Sequence, residues 1–197
     1  MKKLYTIGHS TYQIDYFISI LNRNKINTIV DVRSVPYSSF ASQYNRDGLK
    51  FYLKERGINY IFMGNLLGAK HSDKTLLFSD GKVDFSKVQK NIKFQYGIIR
   101  LERGISKGYN ISLMCSEKEP FDCHRFVLIS KILTQQGVDI NHIYPDKIVS
   151  QKELEIQLLN KYSKKIPKVN LFSPNITDKE QLELAYKFRN KDIAYRS

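Results

Sequence analysis

Short apolar runs alternate with amphipathic stretches along the 197 residues of this chain. Five of the runs are rich in β-branched or aromatic residues and predict strands, at 4–8, 28–32, 58–63, 109–114 and 138–144. Apolar residues at helical spacing predict helices at 17–24, 49–56, 85–107, 123–136, 150–165 and 177–189. This alternation predicts a single three-layer α/β domain with a mainly parallel central sheet of about five strands.

The predicted strands all lie in the first three quarters of the chain. We therefore expect an α/β domain over residues 1–149 and a C-terminal helical extension, packed on it, over residues 150–197. Both helices of the extension begin with the spacing of a capping box, Ser150 with Glu153 and Thr177 with Glu180. The stretch 167–174, with a proline at each end, is the expected linker between them.

The composition is that of a globular protein, with 42% hydrophobic and 26% charged residues. No apolar run approaches the roughly 18 to 20 residues of a membrane span, and the first residues contain no apolar signal region. With only two cysteines in the chain, we expect a cytoplasmic protein with free thiols and no membrane partner. The oligomeric state is not predicted.

The net charge of +13 would attract an anionic small molecule or a nucleic acid. The lysines are scattered, however, so they fit solvated helix faces equally well. One hypothesis is a non-catalytic nucleic-acid-binding module. The bases of the bound nucleic acid would stack on aromatic residues in the stretch after the second strand, namely Tyr37, Phe40, Tyr44, Phe51 and Tyr52.

Reactive residue types follow three of the predicted strands. His9 and Ser10 follow the first, Asp31 and Arg33 end the second, and the stretch from Cys115 to Arg125 follows the fourth. Ligands bind at the carboxyl ends of strands in open α/β sheets. We therefore expect thiol, imidazole, carboxylate and guanidinium groups to converge in one pocket there, as they do in enzyme sites.

The leading hypothesis is an enzyme that acts on an anionic substrate, a nucleotide or a nucleic acid. In it, Cys115 is the nucleophile or redox group, His124 is the acid/base, and Glu117 orients His124 or an arginine. Cys123 lies near a helix N-terminus, where the helix dipole lowers a thiol pKa. The expected substrate contacts are His9, Ser10, Arg33, Arg125 and Tyr37.

Structural roles for the same residues stay open. Both cysteines fit as small buried apolar residues. Arg33 could pair with Asp31 or Glu117, and His9 could bond across its own loop.

Metal binding by Cys115, Cys123, His124 and His9 would suit zinc. However, the C-x7-C-H spacing is not a standard one, and adjacent residues on a helix point apart. We predict no metal. We predict no cofactor either, because the chain lacks a glycine-rich dinucleotide loop.

Several short motifs together resemble the domain of unknown function 488 family of prokaryotic proteins. They are T-I-G-H-S at 6–10, V-D-V-R at 30–33, P-Y-S at 36–38, L-G at 67–68 and C-S-E…C-H-R at 115–125. The resemblance runs from about Tyr5 to Ile143, and D-I-A-Y near the end resembles the family's C-terminal extension.

The resemblance implies an α/β fold with a central sheet and implies no activity. It places the family's motif positions on His9, Ser10, Asp31, Arg33, Cys115, Glu117, Cys123, His124 and Arg125. Ala69 departs from the pattern, which has a second glycine after Leu-Gly.

Overall fold

The computed structural model of the chain, which describes residues 2–167 and 176–196, has a six-stranded sheet as its centre. The strands are β1 Lys3–Gly8, β2 Thr28–Asp31, β3 Asn59–Phe62, β4 Ile111–Cys115, β5 Asp139–Ile143 and β6 Ile148–Ser150. Their order is β3-β2-β4-β1-β5-β6, and every pair is parallel except β5 with β6. The predicted α/β fold is confirmed. The additional strand β6 is a short hairpin return, closed by a hydrogen bond from Tyr144 N to Lys147 O (2.8 Å).

Helices cover both faces of this sheet. They are α1 Ile14–Arg23, α2 Arg46–Lys54, α3 Gly64–Leu67, α4 Phe85–Val88, α5 Ile92–Ser106, α6 Lys131–Gln135, α7 Gln151–Tyr162 and α8 Asp178–Ile193. Within the described ranges, none of them is long and apolar enough to cross a membrane.

Two of the predicted helices differ from the observed ones. The helix predicted at 85–107 is split into α4 and α5, because Asn91 accepts a hydrogen bond from Lys93 N (2.9 Å) and starts a new helix. The helix predicted at 123–136 begins as a π-helical segment, Arg125–Ser130, and continues as α6.

The buried apolar residues form two layers, one on each face of the sheet. Alternate residues of β2 and β4 serve opposite layers: Val30 and Leu113 face one, and Ile29 and Met114 face the other. A parallel sheet that is covered on both sides needs such continuously apolar strands. This explains why the strands could be recognised as apolar runs.

The C-terminal helices pack on the face of the sheet that contains Val30 and Leu113, and the end of α8 reaches the carboxyl edge. Both predicted capping boxes are present, at the starts of α7 and α8. Near the end of α8, Asn190 accepts a hydrogen bond from Phe85 N (2.8 Å), and Arg189 Nε donates to Phe121 O (3.0 Å). The segment after α8 is held by a hydrogen bond from Val83 N to Tyr195 O (3.0 Å). Most of the predicted linker, residues 168–174, lies outside the described residues.

Candidate functional site

The site is built where β1, β2 and β4 end side by side. The register pairs Gly8 with Cys115, and Asp31 with Met114, so the three strands end at the same edge. The loop after β4 passes so close to Gly8 that a Cβ atom there would lie 1.9 Å from the carbonyl oxygen of Glu117. Only glycine therefore fits at the end of β1.

A second glycine allows the loop after β3 to approach the same edge. A Cβ atom at Gly64 would lie 1.9 Å from the carbonyl oxygen of Arg33. The chain after β3 therefore packs directly on the chain after β2. This contact brings residues 69 and 70 to the side of the site.

The centre of the site is a cluster of two thiols around one imidazole. His124 Nδ1 lies 3.8 Å from Cys115 Sγ and 3.7 Å from Cys123 Sγ, and all three side chains are buried. On the other side of the ring, His124 Nε2 lies 3.2 Å from the carbonyl oxygen of Val32. A carbonyl only accepts hydrogen bonds, so Nε2 carries a proton and Nδ1 faces the sulfur atoms.

A carboxyl group completes this cluster. Glu117 Oε2 lies 3.2 Å from Cys123 Sγ. Burial raises the pKa of Glu117, and the neighbouring Cys123 raises it further. The carboxyl group is therefore held in an environment that favours its protonated form.

The two thiols have pKa values that are shifted in opposite directions. Burial alone would raise the pKa of Cys123, but the hydrogen bond from Cys115 and the charges of Arg125 and His124 lower it well below its ordinary value. The pKa of Cys115 is raised by its hydrogen bond to Cys123 and by burial. Burial lowers the pKa of His124, but the adjacent Cys123 and Glu117 together raise it above its ordinary value. The arrangement thus favours a Cys123 thiolate beside a His124 imidazolium.

The cluster opens into a cavity of about 340 Å³. The sequence-predicted residues that line it are Arg33, Cys115, Glu117, Cys123 and His124. Its other lining residues include Ser34, Lys70, Ser116, Asp122 and Tyr195, which the sequence reasoning missed. Lys70 lies at the exposed side, with its ammonium 4.8 Å from the centre of the Tyr195 ring. Two motifs could have pointed to these residues. The Leu67-Gly68 step lies just before Lys70, and Tyr195 is the last residue of the D-I-A-Y sequence.

Arg33 forms a buried ion pair with Asp31, which was one of the two structural roles considered for it. Its Nη2 lies 2.7 Å from Asp31 Oδ2, its Nε donates to Asp31 Oδ1 (2.9 Å), and both side chains are buried. Nη2 also donates to the carbonyl oxygen of Tyr44 (2.8 Å), while Tyr60 OH donates to Asp31 Oδ2 (2.6 Å). Most of the guanidinium's hydrogen-bonding capacity is therefore used within the protein.

His9 belongs to this network and does not line the cavity. Its Nε2 accepts from Arg33 Nη1 (3.2 Å), its Nδ1 donates to Ser10 O (2.7 Å), and its ring stacks on Tyr44 at 4.0 Å. Burial, with the positive charge of Arg33, lowers the pKa of His9 to about 4. A neutral His9 thus holds Arg33 in place.

Arg125 holds the loop that carries Glu117. It is completely buried, and its Nη1 and Nη2 donate to the carbonyl oxygens of Glu117 (2.7 Å) and Lys118 (2.9 Å). The structure therefore places this guanidinium behind the cavity wall. Arg125 is not among the residues that line the cavity.

Ser10 and Tyr37 do not line the cavity either. Ser10 has a left-handed backbone (φ 50°), and its N–H donates to Ser116 O (3.0 Å). Tyr37 is half-exposed on the loop after β2, where its hydroxyl lies 3.4 Å from Asp47 Oδ2.

The sulfur atoms of Cys115 and Cys123 and a ring nitrogen of His124 all lie within 4.8 Å of one another, close enough to share a thiophilic metal ion. The expectation that Cys123 and His124 would point apart is wrong. Cys123 has an extended backbone (φ −126°, ψ 146°) and His124 a helical one, so both side chains turn to the same side. His9 is not part of this group.

The aromatic stretch of the nucleic-acid hypothesis is only partly exposed. Phe40 is 88% exposed, Phe51 61% and Tyr37 53%, whereas Tyr44 is completely buried beneath His9. Tyr44 is therefore not available to stack on a base, which corrects its place in that hypothesis.

Comparison with known proteins gives one match. A family model described as "Domain of unknown function DUF488" matches residues 13–132. This range contains V-D-V-R and C-S-E…C-H-R and begins after T-I-G-H-S. No curated protein and no solved structure matches the chain.

Proposed function

The chain belongs to the family of the domain of unknown function DUF488, and we propose that it is an enzyme that acts on a small anionic molecule through the Cys123 thiolate. The observation that carries the proposal is the convergence of two thiols and a carboxyl group around His124 in one cavity. Cys123 is preferred to Cys115 as the nucleophile, because the opposite pKa shifts favour the thiolate at Cys123.

In this proposal the two thiols and the imidazole have separate tasks. Cys123 attacks the substrate, since the thiolate is the reactive form of a cysteine. His124 gives a proton from Nδ1 to the leaving group, while the Val32 carbonyl keeps the ring oriented through Nε2. Cys115, whose sulfur lies 3.8 Å from the same Nδ1, keeps its proton because its pKa is raised.

The size and charge of the cavity define the substrate class. A cavity of about 340 Å³ is at the small end of ligand pockets, which measure roughly 300–1,000 Å³. Among the described residues that line the cavity, Lys70 at the exposed side is the cation available to a ligand, because Arg33 is paired with Asp31. These features support a small anion, up to the size of a nucleotide.

Alkylation by two matched reagents tests this proposal. Iodoacetate is anionic and iodoacetamide is neutral, and each adduct is located by mass spectrometry. We expect Cys123 to react first, and we expect Lys70→Gln to reduce the iodoacetate/iodoacetamide rate ratio by about three- to tenfold, because it removes the attracting charge. Lys152→Gln, on the exposed surface of α7, is the matched control and should leave the ratio unchanged. If both thiols stay inert until the protein unfolds, the proposal fails.

The second candidate is the nucleic-acid-binding module, which is favoured by the exposed rings of Phe40 and Phe51 and by the net charge of +13. Binding of a labelled single-stranded oligonucleotide should then weaken steeply with salt. Phe40→Ala should weaken it further, whereas Lys70→Gln should have little effect. Binding that is unchanged by Phe40→Ala would contradict this candidate.

A further inference from the structure

We propose that Cys115 and Cys123 form a reversible dithiol–disulfide couple, so that the enzyme reduces the disulfide bond of a small anionic disulfide. The couple itself is inferred from the positions of the two thiols. Its assignment to an anionic substrate rests on the proposed function.

The two sulfur atoms are placed for bond formation. They lie within 4.8 Å of one another on the same side of His124, and a disulfide requires roughly 2.05 Å. Both cysteines are free thiols, and they are the two cysteines of the chain. No other cysteine of the chain can therefore compete for either of them.

The backbone around the pair allows one sulfur to move toward the other. Cys115 is the last residue of β4 and is fixed by its pairing with Gly8 of β1. Cys123 lies outside the sheet, between the short 3₁₀ turn Pro120–Asp122 and the π-helical segment. The inference therefore requires a movement of Cys123, which has no partner in the sheet, and leaves Cys115 in place.

The reaction has two steps. The Cys123 thiolate attacks one sulfur of the substrate R–S–S–R′, the S–S bond breaks, and R′S⁻ takes a proton from His124 Nδ1. Cys115 then gives its proton to Nδ1, and its thiolate attacks Cys123 Sγ in the mixed disulfide. RS⁻ leaves and takes that proton, so both substrate sulfurs are reduced by two electrons in total while the dithiol becomes a disulfide. A low-molecular-weight dithiol or a reduced dithiol protein restores the thiols.

The charge of the cavity selects between disulfides. The exposed ammonium of Lys70 belongs to the lining of the cavity into which the thiols open, whereas the charge of Arg33 is paired with that of Asp31. A dicarboxylate such as 3,3′-dithiodipropionate should therefore react faster than the diamine cystamine, which has a similar length and the opposite charge. We expect a difference of about tenfold or more.

The experiment treats the reduced full chain with 3,3′-dithiodipropionate, quenches with acid and measures the intact mass. We expect the wild type to lose two hydrogen atoms without retaining an adduct, and a digest to yield the Cys115 and Cys123 peptides joined. Cys115→Ser should instead accumulate the mixed disulfide at Cys123, because the second step is missing. Cys123→Ser should form little adduct.

The outcomes separate this inference from the proposed function. If the wild type keeps the adduct at Cys123 as Cys115→Ser does, the dithiol couple is refuted and the Cys123 nucleophile stands. If neither protein forms an adduct, both proposals fail. A protein that holds one zinc ion per chain and resists oxidation would also refute the couple. The wild-type digest needs no variant, so the test remains decisive if Cys115→Ser does not fold.

Discussion

At the scale of single residues, buried ionic contacts hold the cluster in position. Arg33 and Asp31 are both buried and are joined by two hydrogen bonds between their side chains, and the next residues along the chain, Ser34 and Val35, line the cavity. Removing one partner of a buried pair leaves the other charge without compensation, which is much more costly than losing an exposed pair. The network around Asp31 is therefore a structural requirement of the site.

Asp31→Asn should accordingly destabilise the fold strongly. We expect the free energy of unfolding, measured with urea, to fall by about 3–5 kcal/mol, because the Arg33 charge stays buried. Asp15→Asn is the matched control. Asp15 pairs with Arg56 on the surface, with side-chain exposures of 81% and 39%, and its loss should cost less than about 1 kcal/mol. Equal losses for the two variants would contradict the role of the buried pair.

At the scale of elements, the buried strands of the central sheet could be predicted from the sequence. Strand β6 and the break between α4 and α5 could not. Strands β2 and β4 were recognisable because each is buried on both faces, and the mainly parallel direction of the strands followed from their alternation with helices. Strand β6 has only three residues, too few to show a period. The break at Asn91 depends on a cap that outweighs a continuous apolar pattern.

The same limit applies to the site. The convergence of His124, Cys115 and Cys123 was predictable from the strand ends, because parallel strands end at one edge. The partner of Arg33 could be narrowed only to Asp31 or Glu117. Lys70 and Tyr195 reach the cavity from a loop and from the segment after α8, which are far apart in the sequence. The L-G and D-I-A-Y motifs point to the two segments separately, but no local pattern shows that the segments meet at the cavity.

The segment after α8 partly covers the cavity and should limit the access of reagents to Cys123. Tyr195 lines the cavity beside Lys70, and its backbone is held to Val83. Tyr195→Ala should widen the mouth and speed the alkylation of Cys123 by neutral iodoacetamide by about two- to fivefold. Tyr195→Phe keeps the ring and should react like the wild type. If the rates for Ala and Phe are the same, the segment does not limit access to the thiol.

At the scale of the whole molecule, one buried chain of hydrogen bonds joins the sheet to both C-terminal helices. His142 of β5 accepts from Thr6 of β1 at Nδ1 (2.8 Å) and donates from Nε2 to Gln151 of α7 (2.9 Å). Gln151 in turn donates to the hydroxyl of Tyr186 on α8 (2.7 Å). The neutral His142 ring forms hydrogen bonds with both Thr6 and Gln151. A protonated ring would have a donor facing Thr6 and a charge in the core, so the assembly depends on a neutral His142.

This dependence predicts how stability changes with pH. Burial, with a smaller contribution from the charge of Arg125, lowers the pKa of His142 to about 3. The unfolded chain, with a histidine pKa of about 6.5, therefore binds a proton that the folded chain does not bind, and stability falls as the pH drops below about 6.5. From there to pH 5, His142 should account for a loss of about 2 kcal/mol in the free energy of unfolding. His9 acts in the same direction and His124, whose pKa is raised, in the opposite one.

The test therefore compares the wild type with His142→Gln. The free energy of unfolding of each is measured by urea denaturation at pH 7 and at pH 5. Even if the variant is less stable at both, it should lose about 2 kcal/mol less between them, and identical losses would show that His142 does not couple protonation to folding.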